Sequence, residues 1–227
     1  MLHTGAVLSW VDEQHYLSED RARLPYGAAL WPAGIALAHE VAADPGAWAG
    51  RRVLELGAGT GLPGIVAASL GARVLQTDKH PLALDLCARN GRRNGVPAGD
   101  ADGAIAYQRA DWADWPSDPR LNAGVDAGFD AGFDVVLGAD VCYAEGLHDA
   151  LGAVLARVVA PGGRVLLTDP FRRASYGFLE RLEGAGWGVT MSRWSVGLAE
   201  PEPGRDPDET APRAIGAYTL VPPGARG

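Results

Sequence analysis

The sequence predicts an α/β fold: a doubly wound, mostly parallel seven-stranded sheet that ends in a C-terminal antiparallel hairpin. Three observations carry this prediction. Short apolar runs alternate with helical patterns, three of those runs are nearly continuous in Val and Leu, and a glycine-rich loop follows the first of them. Strands buried on both faces read as unbroken apolar runs, which is expected when helices cover each side of a parallel sheet. Ligands of such sheets bind outside the carboxyl ends of the strands.

Taken in order, "LPYGAALWPAGIALAHEVA" (24–42) reads as a turn followed by an amphipathic helix packed on the domain. The strands are "RRVLELG" (51–57), "RVLQTD" (73–78), "AIAYQRAD" (104–111), "FDVVLGAD" (133–140) and "GRVLLTDP" (163–170). Between them, one helix opens with Pro63, a residue favoured in a first helical turn, and runs to Leu70. A second runs from Pro81 to about Asn94. A third places Leu147, Leu151, Val154, Leu155 and Val158 on one face and stops at "APGG". After a helix near 175–184, "WGVTMSRWSV" and "AIGAYTLVP" form the hairpin, joined by the acidic, Pro-rich "LAEPEPGRDPDETAPR". "DAGFDAGFD" (126–134) reads as a tolerated loop expansion. A chain of 227 residues fits one domain, with 1–48 packing over the site and 49–222 forming the core.

Composition narrows the function. Hydrophobic residues at 47% against 21% charged indicate a compact globule. A net charge of −8 argues against nucleic-acid and anionic-membrane partners, which call for a basic face. The two cysteines, Cys87 and Cys142, and the five histidines show no metal-ligand spacing, so no metal is expected. "MLHTGAVLSWVDEQHYL" has neither a basic n-region nor a long apolar stretch, so the expected location is cytoplasmic. Oligomeric state is not legible.

The chemistry concentrates in "LELGAGTGLPG", which holds Gly57, Gly59, Gly61 and Gly64. From Gly59 it satisfies G-x-G-x-x-G, so a dinucleotide must be weighed. Glu55 lies inside the strand, two residues before Gly57. A pyrophosphate disfavours a carboxylate there, whereas the amino group of a methionine moiety favours one. Asp78 ends the next strand and suits ribose hydroxyls in either cofactor class. Asp111 and Trp112 follow the third strand and suit an adenine amino group and ring face.

This motif series resembles the class I, seven-β-strand S-adenosylmethionine-dependent methyltransferases over about residues 25–221. "LWPAGIALA", "NGRRNG" with Asn90 and Asn94, "ADW" and "GADVCY" sharpen the resemblance to lysine methyltransferase family 16. Within that family, the Trp-Pro before the domain and "DPFR" after the fifth strand are similar to the electron-transfer-flavoprotein β-subunit lysine methyltransferases. Nicotinamide methyltransferase-like bacterial chains are similar as well. The resemblance implies S-adenosylmethionine as methyl donor, with Gly57, Ala58 and Gly59 along its methionine part and Gly61 in the same loop. It further implies Asp78 on the ribose, Asp111 and Trp112 on the adenine, and Lys79 bordering that pocket. Trp31 would close over the cofactor and Ala139 would touch it from the fourth strand. Asp140 and Tyr143 would be the catalytic pair, one orienting the amine and the other walling its channel.

Plainer roles stand beside each of these. Asp78 would also cap the helix at Pro81, Asp140 would cap the segment near Glu145, and Trp31 and Trp112 would be packing or lid residues. Cys142 reads as a small packed residue. Arg172 and Arg173 read as solvated, the alternative being a grip on a substrate carboxylate. The acids Glu200, Glu202, Asp206, Asp208 and Glu209 read as a solvated connection that could steer a basic protein substrate. The expected acceptor is a protein lysine. The alternatives are a small-molecule amine or ring nitrogen, a non-catalytic S-adenosylmethionine-binding protein and, more distantly, a dinucleotide oxidoreductase.

Overall fold

The computed structural model describes residues 26–117, 132–197 and 212–224. The acidic 200–209 stretch and residues 126–131 of the tandem repeat lie outside them. Seven strands form one sheet: β1 (Arg52–Leu56), β2 (Arg73–Asp78), β3 (Ile105–Arg109), β4 (Phe133–Ala139), β5 (Val159–Asp169), β6 (Gly188–Val196) and β7 (Arg213–Val221). Their spatial order is β3-β2-β1-β4-β5-β7-β6. The first five run parallel, and β7 lies antiparallel between β5 and β6. Five α-helices occur among the described residues: α1 (Pro32–Ala42), α2 (Leu62–Ser69), α3 (Pro81–Arg93), α4 (His148–Val158) and α5 (Arg173–Gly184).

Alternate residues of each strand feed opposite cores, as the pleat requires. Val53, Val74, Ile105, Val135, Leu137 and Leu166 join α1 and α2 through Leu37, Val41 and Ile65. Leu54, Leu56, Leu75, Val136, Val165 and Leu167 face the other way, onto Leu151 and Leu155 of α4 and Phe178 and Leu182 of α5. This two-sided burial is why the strand sequences are continuous in Val and Leu. Each such side chain contributes ~1.5–3 kcal/mol relative to exposure, so the interleaving fixes strand register.

The "APGG" stretch is a correction. The helix does end at Val158, but β5 starts at once, because Val159 pairs with Phe133 before the register shifts to Val135 opposite Arg164. The Pro-Gly-Gly is absorbed as a strand irregularity, with Gly162 at φ +76°. At the far edge of the sheet, α1 is tied down by Trp194 Nε1 donating to Glu40 Oε2 at 2.7 Å and stacking on His39. Thr168 Oγ1 donates to Ala33 O at 2.8 Å, fixing the start of α1 over the end of β5. No helix among the described residues is long and apolar enough to cross a membrane.

Candidate functional site

The carboxyl ends of β1 to β5 lie along one edge of the sheet, and every site residue named from the sequence is on that edge or on the segment leading into α1. The loop after β1 turns through Gly57, Gly59 and Gly61, with φ of +60°, +56° and +79°. Its shape is held by Ala58 N donating to Thr77 O (2.9 Å), Gly59 N to Asp78 Oδ2 (3.1 Å) and buried Asn90 Nδ2 to Thr60 O (2.8 Å). The Tyr26–Ala28 turn lies directly over this loop, and a Cβ on Gly59 would sit 3.1 Å from Gly27 O. Positive φ and close approach together leave room for glycine alone there.

Beneath the loop lies a buried polar pair. Glu55 and Gln76 are register partners on β1 and β2, with 2% and 0% exposure. Glu55 Oε2 accepts from Gly64 N at 3.0 Å and from Gln76 Nε2 at 2.7 Å, and Gln76 Nε2 also reaches Gly61 O at 2.8 Å. Glu55 therefore faces the first turn of α2 and its strand neighbour. A carboxylate this deep is held by partners from within the protein. Burial raises its carboxyl to about 8, against the opposing bonds from Gln76 and Gly64 and with a further push from Asp78.

A raised carboxyl favours the folded state at low pH. Its contribution is complete below the ordinary value of 4.5 and is lost as pH climbs through about 8. Thermal unfolding from pH 5 to 9 is expected to show a stability decline that Glu55→Gln removes. The glutamine keeps both acceptor contacts and has nothing to ionise. Parallel curves for the two proteins would exclude this ionisation.

The rim of the cradle is polar and aromatic. Asp78 is 9% exposed; besides Gly59 N, it accepts from His80 N at 2.9 Å. It therefore both ties down the loop and shapes the entry to α3. Lys79 is exposed, and its carbonyl accepts from Arg109 Nε at 3.0 Å. Asp111 is exposed and turns the chain through Ala113 N onto Oδ1 at 3.1 Å. Trp112 is half-buried, with its ring 3.4 Å from where a Gly57 Cβ would stand and Val141 at 3.3 Å. The glycine loop, Trp112 and the turn after β4 thus meet at Gly57. Trp31 is half-buried at the N-cap of α1, and Ala139, also half-buried, packs against both the α1 side of the core and the small cluster of Ala33, Ala36 and Ile215.

After β4, Asp140 adopts φ +54°, a left-handed conformation that Asp tolerates better than most residues. Its two carboxylate oxygens accept from Arg172 Nε and Nη2, both at 2.7 Å, in a bidentate pair with Asp and Arg side chains 9% and 20% exposed. The solvated reading of Arg172 is therefore corrected, whereas Arg173 is exposed as expected. Arg172 N in turn donates to Asp169 Oδ1 at 2.6 Å, and Asp169 Oδ2 accepts from Ser175 Oγ. Burial, aided by Asp140 and opposed by Ser175 and Arg172, raises Asp169 to about 6. Tyr143 is 44% exposed at the mouth of this turn.

Cys142 is 4% exposed, and burial pushes its thiol well above the ordinary range, consistent with a packed residue. Its carbonyl lies 3.0 Å from His148 Nε2, and buried His148 sits 5.1 Å from the Phe178 ring. That contact pins the "DVCY" turn from below with a proton on Nε2.

Four contributors were missed or given other roles: Gln76, His148, Arg172 and Gly27. The usable signals were Gln76 as the one amide in an apolar strand, opposite Glu55 once β1 and β2 pair, and Gly27 two residues after a proline. Arg172 and His148 carry no local signal. No cluster of His, Cys, Asp and Glu able to hold a metal occurs among the described residues.

Comparison with known proteins adds the family context. Residues 12–185 match the sequence profile of the lysine methyltransferase family. The chain is 36% identical over 156 residues to protein N-lysine methyltransferase METTL21A of Danio rerio, covering 69% of this chain and 66% of that protein. It is 33% identical over 151 residues to EEF1A lysine methyltransferase 3 of Mus musculus, covering 66% of this chain and 59% of the relative. The matched stretch thus spans less than two thirds of either relative. Among solved structures, the O-methyltransferase of Bacillus cereus in complex with SAH superposes with a TM-score of 0.56 at 15% identity, over 92% of this chain and 89% of that one. At that identity the superposition shows a shared fold and nothing finer.

Proposed function

Because the chain belongs to the lysine methyltransferase family, we propose that it is an S-adenosylmethionine-dependent N-methyltransferase acting on a protein lysine side chain. The observation that carries the reading is the meeting at Gly57 of a glycine cradle, the Trp112 face and the turn that holds Asp140. The names of the two curated relatives support lysine as the acceptor.

The residues present fit the cofactor. Gly57, Ala58, Gly59 and Gly61 would hold the methionine part against bare backbone, Asp78 the ribose, and Asp111 and Trp112 the adenine. Lys79 would border that pocket, and Trp31 and Ala139 would close the site. Glu55 acts one layer below, by fixing the loop through Gly64. When bound, the cofactor supplies a methyl group on a sulfonium, which a neutral amine takes through its lone pair while the S–C electrons stay on sulfur.

The protein's remaining task is to align a deprotonated amine. For a lysine with the ordinary value near 10.4, deprotonation at pH 7 costs roughly 4.6 kcal/mol. Asp140 orients the amine from one side, and half-exposed Tyr143 offers an apolar wall on the other. The charge of −8 supports a protein acceptor over nucleic acid, and two free, buried cysteines suit the reducing cytoplasm.

Calorimetric titration tests the cofactor assignment. S-adenosylmethionine and S-adenosylhomocysteine are expected to bind one per chain, and NAD not at all. Binding of NAD without S-adenosylmethionine would replace this reading with an oxidoreductase one.

A further inference from the structure

We propose that Arg172 is a positioning and selectivity residue of the transfer site: forked onto Asp140, it cancels the charge of that carboxylate and so favours an amine that has already lost its proton. The inference rests on the methyltransferase reading above and concerns how the same site chooses its nucleophile.

A bare carboxylate at the end of β4 would work against amine methylation. It stabilises an ammonium and holds the proton in place, since an opposite charge within ~4–6 Å shifts a titration by about 1–3 units. In the structure that carboxylate is not bare. Both oxygens are taken by the guanidinium at 2.7 Å, and the pair is largely shielded from water. An arriving amine meets an Asp140 carboxylate whose own charge is offset by the guanidinium and which has acceptor lone pairs to spare, so it is oriented while being held less strongly as a cation.

Both residues of the fork are held through their own backbone amides. Asp140 N donates to Thr168 O at 2.7 Å. Arg172 N donates to the Asp169 carboxylate at the start of α5. The residues that aim them, Asp140 and Phe171, both sit at positive φ, +54° and +64°. For a bulky residue such as Phe171 this conformation is unfavourable by ~1–2 kcal/mol and persists only where surrounding contacts dictate it. Two left-handed turns at the ends of adjacent strands, bridged by one bidentate pair, are a built arrangement and not a chance surface contact.

The other titratable and charged groups around the pair leave a clear window. Asp169 at the end of β5 ionises near 6, below the range of an amine. Tyr218 on β7 is pushed up to about 12 by burial, and the Cys142 thiol lies well above its ordinary value. Arg193 on β6 lies over the Phe171 ring at 6.0 Å, and Arg173 is exposed. Among the described residues, exposed Tyr143 and Tyr176 and buried His148, under the turn at Cys142 O, also lie around the pair.

The test follows initial rates of tritiated methyl transfer from S-adenosylmethionine into heat-treated bacterial extract protein between pH 6.5 and 10. The wild type is compared with Arg172→Gln and Arg172→Lys, with cofactor affinity and melting measured alongside. The glutamine variant is expected to move the rising limb up by about one unit, with about tenfold lower rate at pH 7.5 and recovery toward wild type at pH 10. The lysine variant, which keeps the charge but not the fork, should keep the limb in place at reduced rate. A uniform loss at every pH in the glutamine variant would make Arg172 a merely structural residue and overturn the inference. If the glutamine variant does not fold, a displaced limb in the lysine variant overturns it and an unmoved one supports it. No transfer by the wild type at any pH would instead overturn the methyltransferase reading, and this inference with it.

Discussion

Asp140→Asn is expected to lower methyl transfer by about a hundredfold or more while S-adenosylmethionine affinity changes by less than about threefold. Asparagine is the informative replacement because it also accepts positive φ, so the turn after β4 keeps its shape. It keeps one acceptor for Arg172 and loses the charge, leaving Asp169 as the carboxylate beside that guanidinium. The second acceptor that would orient the amine becomes a donor. Steady-state rates and cofactor titration on the same preparation separate the two effects. Near-normal turnover would remove Asp140 from the catalytic machinery.

Gly64→Ala should produce the largest loss in the cofactor cradle. Glycine to alanine inside a helix ordinarily stabilises by about 0.5–1 kcal/mol. At Gly64 the new methyl would overlap Glu55 Oε2 and stand 2.6 Å from Gln76 Nε2, both buried and bonded to each other. The expected net cost is about 1–3 kcal/mol, with a melting point several degrees lower. Cofactor affinity should fall at least about tenfold, because α2 can relieve the overlap only by lifting the loop that precedes it. Gly177→Ala is the control: it lies in α5, is exposed, and its added Cβ meets nothing within 4 Å, so stability should hold or rise. Equal behaviour of the two variants would show that the Glu55–Gln76 pair does not support the loop.

The fold was largely legible because two-sided burial writes itself into the sequence. A strand covered on both faces, such as Val135 to Leu137, has no polar alternation, and its repeated alternation with helical patterns marks a helix-covered sheet. What stayed hidden was pairing order. Nothing in "AIGAYTLVP" distinguishes a strand placed between β5 and β6 from one at the sheet edge, since that depends on which partner offers the better buried face. The start of β5 was missed for a related reason: a Pro-Gly-Gly signal ends the helix, yet pairing of Val159 with Phe133 overrides its local reading.

At the site, the residues visible in the sequence are those held by chain-local geometry, namely the glycine loop, the strand-ending acids and the "ADW" and "GADVCY" turns. Those that were not visible act across distance. Arg172 reaches Asp140 over 32 residues, and Gln76 reaches Glu55 over 21. Glu55 shows the limit most plainly. Its position in the motif suggested a ligand contact, and only the packing of α2 reveals that its partners are Gly64 and Gln76.

The measurement that tests the central claim most directly is the fate of the label after incubation with tritiated S-adenosylmethionine and cell extract. Protein is separated from small molecules and hydrolysed to amino acids. The chain contains a single lysine, Lys79, so a Lys79→Arg enzyme run in parallel separates self-labelling from labelling of extract protein. The account predicts tritium in methylated lysine from extract protein, present with wild type and absent with Asp140→Asn. Label confined to small molecules, or to a protein residue other than lysine, would contradict it.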